Sequence, residues 1–517
     1  MDKANQFKEK MKAYLKEIDE VIAKGPYKDD SWETMLGHKV PDWYRNAKFG
    51  IFIHWGAYAV PAYQTEWYTC HMHNEEGKLD GKASGGTEGK KSIYQHHLET
   101  YGHVKDFNYK HFIPMFTAQQ FDAKAWVDLF EEAGARFVMP VAEHCDGFPM
   151  YDCSLTDWCA SKKGPQKDTL GLLKYEIEKR GMMLATSSHR MEHYWFMGGI
   201  RELAPDLEIP YGDLYWPSYK KEFQLDDGTV TNHQDVTNLT YLDPLFMEDW
   251  LVRCCEIVDK YRPKIMYFDW WIQVNPMKPY LRKFAAYYYN RALEWGEEVT
   301  INYKNDAFAH TVGVKDIERG QLTDVSPFYW QNDTAIARNS WCYTENNDYK
   351  SVYEVLCTLV DVVSKNGSLC LNVGPKADGT ISEEDTKVLK GVGAWLKVNG
   401  EAIYESIPWR KHGEGPTVTQ EGHFSDQNFL GYTPDDYRFT FNKGCLYVFA
   451  MNYPEDGVMR IKTLGRHPRK NQFNGHIKEV SILGQKECEF YLSTENLTVY
   501  GEKGKRETPV CIKIKFE

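Results

Sequence analysis

Asp269 closes the apolar run Lys264-Ile-Met-Tyr-Phe268 and is followed by Trp270 and Trp271. A carboxylate at the C-terminal tip of a buried strand is placed as a catalytic acid would be. Indole rings beside it offer a flat apolar face to a ring-shaped substrate. Other apolar runs end in the same way. Phe49–Ile53 leads to His54 and Trp55, and Ala135–Ala142 leads to Glu143, His144, Cys145 and Asp146. Met182–Thr186 leads to Ser187, Ser188, His189, Arg190 and Glu192, and Val299–Asn302 leads to Tyr303 and Lys304. Carboxylates, imidazoles and an ammonium at strand tips can supply a nucleophile, a general acid or base, and hydroxyl-binding groups.

The elements between these tips repeat one unit: a helix, a Gly or Pro break, an apolar strand and a polar end. Thr117, with Gln120 three residues on, reads as the N-cap of a helix carrying Phe121, Trp126, Leu129 and Phe130, stopped by Gly134. Helices are expected near 170–180, over Pro244–Tyr261, Tyr280–Trp295 and Ser351–Lys365, the last followed by a strand at Ser368–Val373. This alternation requires βα units and a parallel sheet. Repetition without a Gly-rich phosphate loop favours a (β/α)8-like barrel over a doubly wound nucleotide fold. Two stretches lack the period, 69–111 and 197–242, and read as long loops over the barrel mouth. Beyond Tyr404 short alternating runs appear (Tyr437–Asn442, Cys445–Asn452, Val510–Phe516), as in a small antiparallel β-sandwich. The expected division is a catalytic barrel over 1–405 and a sandwich over 406–517.

Bulk properties narrow the function. The 517 residues carry a net charge of −12, which disfavours a nucleic-acid partner. Aromatic residues make up 15%, including 16 Trp and 34 Tyr. Most of these belong to a large core, and some suit a sugar cleft. The first 25 residues are rich in Lys and Glu with no apolar segment, and no run approaches the ~20 apolar residues of a membrane span. Twelve scattered cysteines without a CxxC pair fit reduced thiols, so a cytoplasmic location without membrane association is expected.

At the strand tips the chain resembles glycoside hydrolase family 29, the α-L-fucosidases. The matching stretches are Lys48-Phe-Gly-Ile-Phe-Ile-His-Trp-Gly56, Glu66-Trp-Tyr68, His144 with Asp146-Gly-Phe148, Tyr267-Phe-Asp269, and Asn366-Gly-Ser-Leu-Cys-Leu-Asn-Val-Gly-Pro375. The resemblance implies retaining hydrolysis of a terminal α-L-fucoside by two carboxylates about 5–5.5 Å apart. It makes Asp269 the nucleophile. The acid/base is expected at Glu318, beyond the strand that ends at Lys304, with Glu66 as the alternative. His54, Glu66, Trp67, His144, Cys145, Ser187, Tyr267 and Lys304 are the expected substrate contacts. No cofactor and no metal is implied, the partner is an oligosaccharide or glycoconjugate, and a homo-oligomer is left open.

Three departures bear on the sugar. The family commonly carries Lys-His-His-Asp-Gly-Phe where this chain has Glu143-His-Cys-Asp-Gly-Phe148, so Cys145 replaces a hydroxyl-binding His. Ser187 falls in the stretch where the family often has Tyr beside the sugar's C6 methyl, and Lys304 stands where an Arg often sits. A related sugar, an α-L-galactoside or α-L-glucoside, is therefore the alternative substrate. Two rival readings remain. One is a non-catalytic sugar-binding protein. The other is a metal-dependent hydrolase using the loop histidines His71, His73, His96, His97, His103 and His111 with His144, although none forms an HxH or HxxxH pair on a strand end.

Overall fold

The apolar runs become the staves of a closed barrel. The computed structural model describes residues 2–74, 91–218, 222–224, 230–232, 242–466, 475–485 and 488–517. Eight parallel strands pair in chain order and close on themselves. They are β1 (Phe49–Ile53), β2 (Phe137–Glu143), β3 (Met183–Ser188), β4 (Ile265–Phe268), β5 (Thr300–Tyr303), β6 (Val314–Glu318), β7 (Trp330–Ala335) and β8 (Gly367–Val373). Around them lie α1 (Lys3–Lys24), α2 (Ala123–Glu132), α3 (Thr169–Lys179), α4 (Arg190–Phe196), α5 (Pro244–Tyr261), α6 (Lys278–Trp295), α7 (Val352–Ser364) and α8 (Glu383–Asn399).

Strand alternation decides which side chains reach the mouth. In β4, Ile265 and Tyr267 face the barrel interior with Phe52, Met139, Val141, Ala185 and Val314. Phe268 faces outward, its ring 5.2 Å from Trp250 of α5 and 4.9 Å from Phe284 of α6. Burying that ring contributes roughly 2 kcal/mol and fixes the strand's phase. Asp269 continues the inward series at the mouth. In β5 the same phase brings Asn302 and then Lys304 inside. At the end of β2 a bulge sets two residues of β2 against one of β3, between Val141 and Glu143. The extra residue turns Glu143 outward to Arg190 and Arg253 and returns His144 to the pocket side.

One sequence expectation is corrected and another is extended. The helix after Thr117 is capped by Asp122, whose carboxylate accepts the Ala125 N–H. The amides of Ala118 and Gln120 bond instead to the carbonyls of Ala377 and Asp378, so the helix begins only at Ala123. Glu318, expected only as lying beyond the strand that ends at Lys304, closes a strand of its own. Residues 314–318 form a barrel strand, and so do 330–335, with no helix between β5 and β6 or between β6 and β7. Of the two stretches expected to be long loops, positions 75–90 in the first and 219–221, 225–229 and 233–241 in the second lie outside the described residues. The described parts carry short helices, and Glu222–Gln224 pairs with Val230–Asn232.

Beyond the barrel stand β9 (Ile407–Glu414), β10 (Tyr437–Asn442), β11 (Cys445–Ala450), β12 (Val458–Ile461), β13 (Ile477–Ile482), β14 (Glu489–Leu492), β15 (Leu497–Tyr500) and β16 (Val510–Phe516). They build a five-stranded sheet, β9-β10-β11-β16-β13, over a three-stranded one, β12-β15-β14. Phe439, Val448, Met459, Val499, Ile512 and Ile514 fill the space between. The outer face of the larger sheet joins the barrel core through Tyr447, Phe449 and Cys511. Buried Arg438 of β10 also reaches across, its Nε 2.5 Å from Asp361 of α7, and Asp361 holds Lys365 at 2.6 Å. Among the described residues, no helix is long and apolar enough to cross a membrane.

Candidate active site

Lys304 organises the mouth of the barrel. Its ammonium is 2.8 Å from Asp269 Oδ1, in contact with Glu318 Oε2, and 3.6 Å from Asp333 Oδ2. Two contacts to one nitrogen bring the Asp269 and Glu318 carboxyls together at the mouth, as a nucleophile and an acid flanking one reacting carbon must be. Glu318 reaches this position because Val314, Asp316 and Glu318 share the inward phase of β6, while Ile317 packs outward against Trp330 and Val362.

The two carboxyls are pushed apart in acidity. Burial acts to raise Asp269, but the Lys304 ammonium and the His189 N–H hold it well below the usual carboxylate range. Nδ1 of His189 lies 2.9 Å from Asp269 Oδ2. Burial raises Glu318 to about 7 against the pull of Lys304, with Asp269 and Asp333 adding to the rise. One group is thus ionised and the other protonated near neutrality, the division of labour that acid-assisted displacement needs. Glu318 also receives the indole N–H of Trp270. The Tyr267 hydroxyl sits below the nucleophile, 3.0 Å from Asp333 Oδ2 and 3.3 Å from Asp269 Oδ1.

Three imidazoles line the adjoining wall. The rings of His54, His144 and His189 have centroids 4.8–5.5 Å apart. Nδ1 of His54 lies 2.7 Å from Asn372 Oδ1, so Nδ1 carries the proton and Nε2 is left as an acceptor. Burial, first, and the neighbouring imidazoles push His54 and His144 well below the usual histidine range, so both are neutral. A neutral imidazole both donates and accepts, as a sugar hydroxyl requires.

The expected site residues fall into three groups. Asp269, Glu318, Lys304, His54 and His144 converge as described. Glu66 is buried and accepts the Trp341 N–H at 3.0 Å, which places it on the His54 side with Trp341, whose ring is 5.1 Å from that of His54. Trp67 is half-buried against Phe196. Tyr267 and Ser187 are among the deepest of the expected residues. Both are fully buried beneath the pocket floor. Ser187 Oγ is 3.0 Å from His189 Nε2, so Ser187 supports the imidazole that touches the nucleophile. Cys145 is buried behind His144, its carbonyl accepting from His193 Nδ1 at 2.9 Å.

Residues not singled out by sequence complete the site. His189 and Glu192 stand in the polar tip after β3, where nothing in the text distinguishes them from their neighbours. Trp341 and His423 carry no local signal. His423 comes from the segment leading into the sandwich: its Nδ1 accepts the Glu318 N–H at 3.0 Å, the Phe424 N–H returns to the Glu318 carbonyl at 2.8 Å, and its ring is 5.0 Å from that of Trp270.

Several loop histidines of the metal reading are occupied locally. His97 bonds to Tyr68 and to the Phe107 carbonyl, His111 caps Asn108, and His96 stacks on Tyr63 at 3.7 Å. Among the described residues, the groups with ligand atoms close enough to share an ion lie at the pocket wall: His54–His144–His189, His144–Cys145–Glu192 and His189–Glu192–Asp269.

Comparison with known proteins matches most of the chain. The profile of the family described as "Alpha-L-fucosidase" matches residues 15–401. A plasma α-L-fucosidase of Homo sapiens is 28% identical over 425 residues, covering 76% of this chain and 75% of that protein. The crystal structure of a Thermotoga maritima α-fucosidase superposes with a TM-score of 0.70 at 26% identity, covering 94% of this chain and all of that one. The Thermotoga maritima enzyme in complex with fucose gives a TM-score of 0.68, also at 26% identity and 94% coverage of this chain.

Proposed function

The chain belongs to the α-L-fucosidase family, and from that premise we propose that it is a retaining exo-glycosidase that hydrolyses terminal α-L-fucosides of oligosaccharides or glycoconjugates. The observation that carries the mechanism is the pair of carboxyls on Lys304, one held ionised and the other raised to about 7. Asp269 attacks the anomeric carbon while Glu318 gives its proton to the leaving oxygen, forming a glycosyl-enzyme. Glu318, now a carboxylate, takes a proton from water, which attacks the same carbon and releases the sugar with its configuration retained. Lys304 and His189 keep the nucleophile charged between turnovers. His54 and His144 bind glycone hydroxyls as neutral imidazoles. Glu66 is the weaker candidate for the acid, because no contact joins it to Lys304.

A second substrate, an α-L-galactoside, is favoured by the polar corner formed by His189 over Ser187, whose Oγ lies 3.0 Å from His189 Nε2. Nitrophenyl α-L-fucoside, α-L-galactoside and α-L-glucoside, assayed with wild type, Asp269→Ala, Glu318→Ala and Glu66→Ala, test both statements. Turnover must vanish in Asp269→Ala. Added azide must rescue Glu318→Ala with retained configuration on an activated substrate. Near-normal rates for Glu318→Ala on poor leaving groups would transfer the acid role elsewhere, and a fucoside preference of about a hundredfold or more would remove the second substrate.

A further inference from the structure

The wall behind the sugar pocket contains a cluster of which the hydrolytic reading uses only the His144 ring. A ring nitrogen of His144, the thiol of Cys145 and a carboxylate oxygen of Glu192 lie within 4.8 Å of one another, and all three residues are buried. Both Glu192 oxygens and Nδ1 of His144 have no hydrogen-bond partner. A buried carboxylate without a donor is costly, and an unsatisfied group in a folded interior calls for a proton, a water or an ion. Burial raises both the Glu192 carboxyl and the Cys145 thiol well above their usual ranges, with the charge of Asp269 adding to the first and the charges of Glu192 and Asp146 to the second.

We propose that His144, Cys145 and Glu192 bind a divalent transition-metal ion of the zinc class, with the fourth position open to the pocket. Nitrogen, sulfur and oxygen donors together are the set a borderline-soft cation takes, whereas a thiol is a poor partner for a sugar hydroxyl. A thiolate and a carboxylate with one neutral imidazole cancel the charge of a divalent ion, which solves the burial of all three at once. The supports are already rigid. Cys145 is held through its carbonyl by His193. The tip of β2 and helix α4, which carry the ligands, are clamped by Arg190 to Glu143 at 2.6 Å and to Asp249 at 2.7 Å. Ligand atoms around zinc stand roughly 3.3–3.7 Å apart, so closure asks for side-chain shifts of about an ångström. The bound ion would fix the His144 ring at the back of the sugar pocket. It takes no part in bond cleavage, so the proposal stands apart from the glycosidase reading. It also departs from the expectation that the chain carries no metal.

The test reads the metal, not turnover. Elemental analysis of protein purified without chelator should give about one zinc per chain. Stripped protein titrated with Co2+ should develop a near-ultraviolet thiolate-to-cobalt band that saturates at one equivalent. The band should be absent in Cys145→Ser and should need at least tenfold more Co2+ in Glu192→Gln. Binding should strengthen as pH rises, because the thiol and carboxyl must lose their protons. X-ray absorption at the zinc edge should count one sulfur neighbour, a readout that needs no variant to fold. Wild-type protein without stoichiometric metal and without the band at excess Co2+ overturns the proposal, and so does a band that survives in Cys145→Ser. Glycoside turnover, measured on the same samples, separately decides the hydrolase reading.

Discussion

Replacing Lys304 by Met tests whether this ammonium, and not the substrate, sets the acidities of the catalytic pair. Lys304 is 2% exposed and sits 2.8 Å from Asp269 Oδ1. At an effective dielectric constant near 20, such a contact is worth on the order of 4 kcal/mol. That corresponds to about 3 pKa units. His189 remains on the other oxygen of Asp269 and retains part of the effect, so the nucleophile should rise by about 2–3 units. Glu318 also loses its largest charge-favouring neighbour and should rise above its value of about 7. Both limbs of the pH profile of kcat/KM should therefore move to higher pH. The acid limb moves because the nucleophile must ionise, and the alkaline limb because the acid keeps its proton longer. The assay is hydrolysis of nitrophenyl α-L-fucoside across the pH range, with thermal unfolding alongside. Removing one partner of a buried ion cluster also costs about 3–5 kcal/mol of stability. Lys304→Arg supplies the control: the charge persists and the limbs should stay near wild type even if the rate falls. A raised KM with both limbs unmoved in Lys304→Met would mean that Lys304 binds the sugar and that the reasoning above is wrong.

The neighbours of the pair give further tests. His189→Ala removes the N–H that Asp269 Oδ2 accepts at 2.9 Å, so the acid limb should rise by about one unit while KM changes little; an unmoved limb would show that His189 does not support the nucleophile. Trp270→Phe keeps the ring and removes the donor to Glu318, which destabilises the charged form, so the alkaline limb should rise, again by about one unit; a downward shift would reverse the assignment. Arg438→Ala should lower stability in urea by roughly 3 kcal/mol, because Asp361 loses one of its two cations. Asp361 is held at about 2 in the fold, against burial, by Lys365 and Arg438. Its contribution is present above the unfolded value near 4 and disappears as pH falls through about 2. The gap between wild type and Arg438→Ala should therefore narrow over that interval, and a gap independent of pH would place the cost in packing.

The legible strands of the barrel are the apolar ones. Strands β1, β2, β3, β4, β5 and β8 announce themselves because one or both faces are buried in side chains that periodicity detects, and helices such as α5 carry an N-cap, a proline at the first turn and an unbroken apolar face. Strands β6 and β7 read Val-Lys-Asp-Ile-Glu and Trp-Gln-Asn-Asp-Thr-Ala, with polar residues on the inward face. That polarity looks like loop until the network is seen. Gln331 donates to Asp316 at 2.8 Å, Asn302 donates to both Tyr44 and Gln331, and Asp333 accepts from Tyr267. The partners come from other strands or, for Tyr44, from the short helix before β1, so no local window contains the reason for these residues.

The same argument explains which site residues were readable. Asp269 ends a strand whose apolar residues are consecutive, so its position follows from the text. Glu318 needs the family resemblance, because its own strand is hidden. His189, Trp341 and His423 need the closed barrel, since what defines each is a partner far away in sequence: Asp269, Glu66 and Glu318. The polar strands and the polar site are therefore one structural fact. The side of the barrel that abandons an apolar interior between β4 and β7 is the side that holds two carboxyls and an ammonium together. A barrel filled with aliphatic side chains on that side would be easier to read and would have nothing with which to keep Asp269 ionised beside a protonated Glu318.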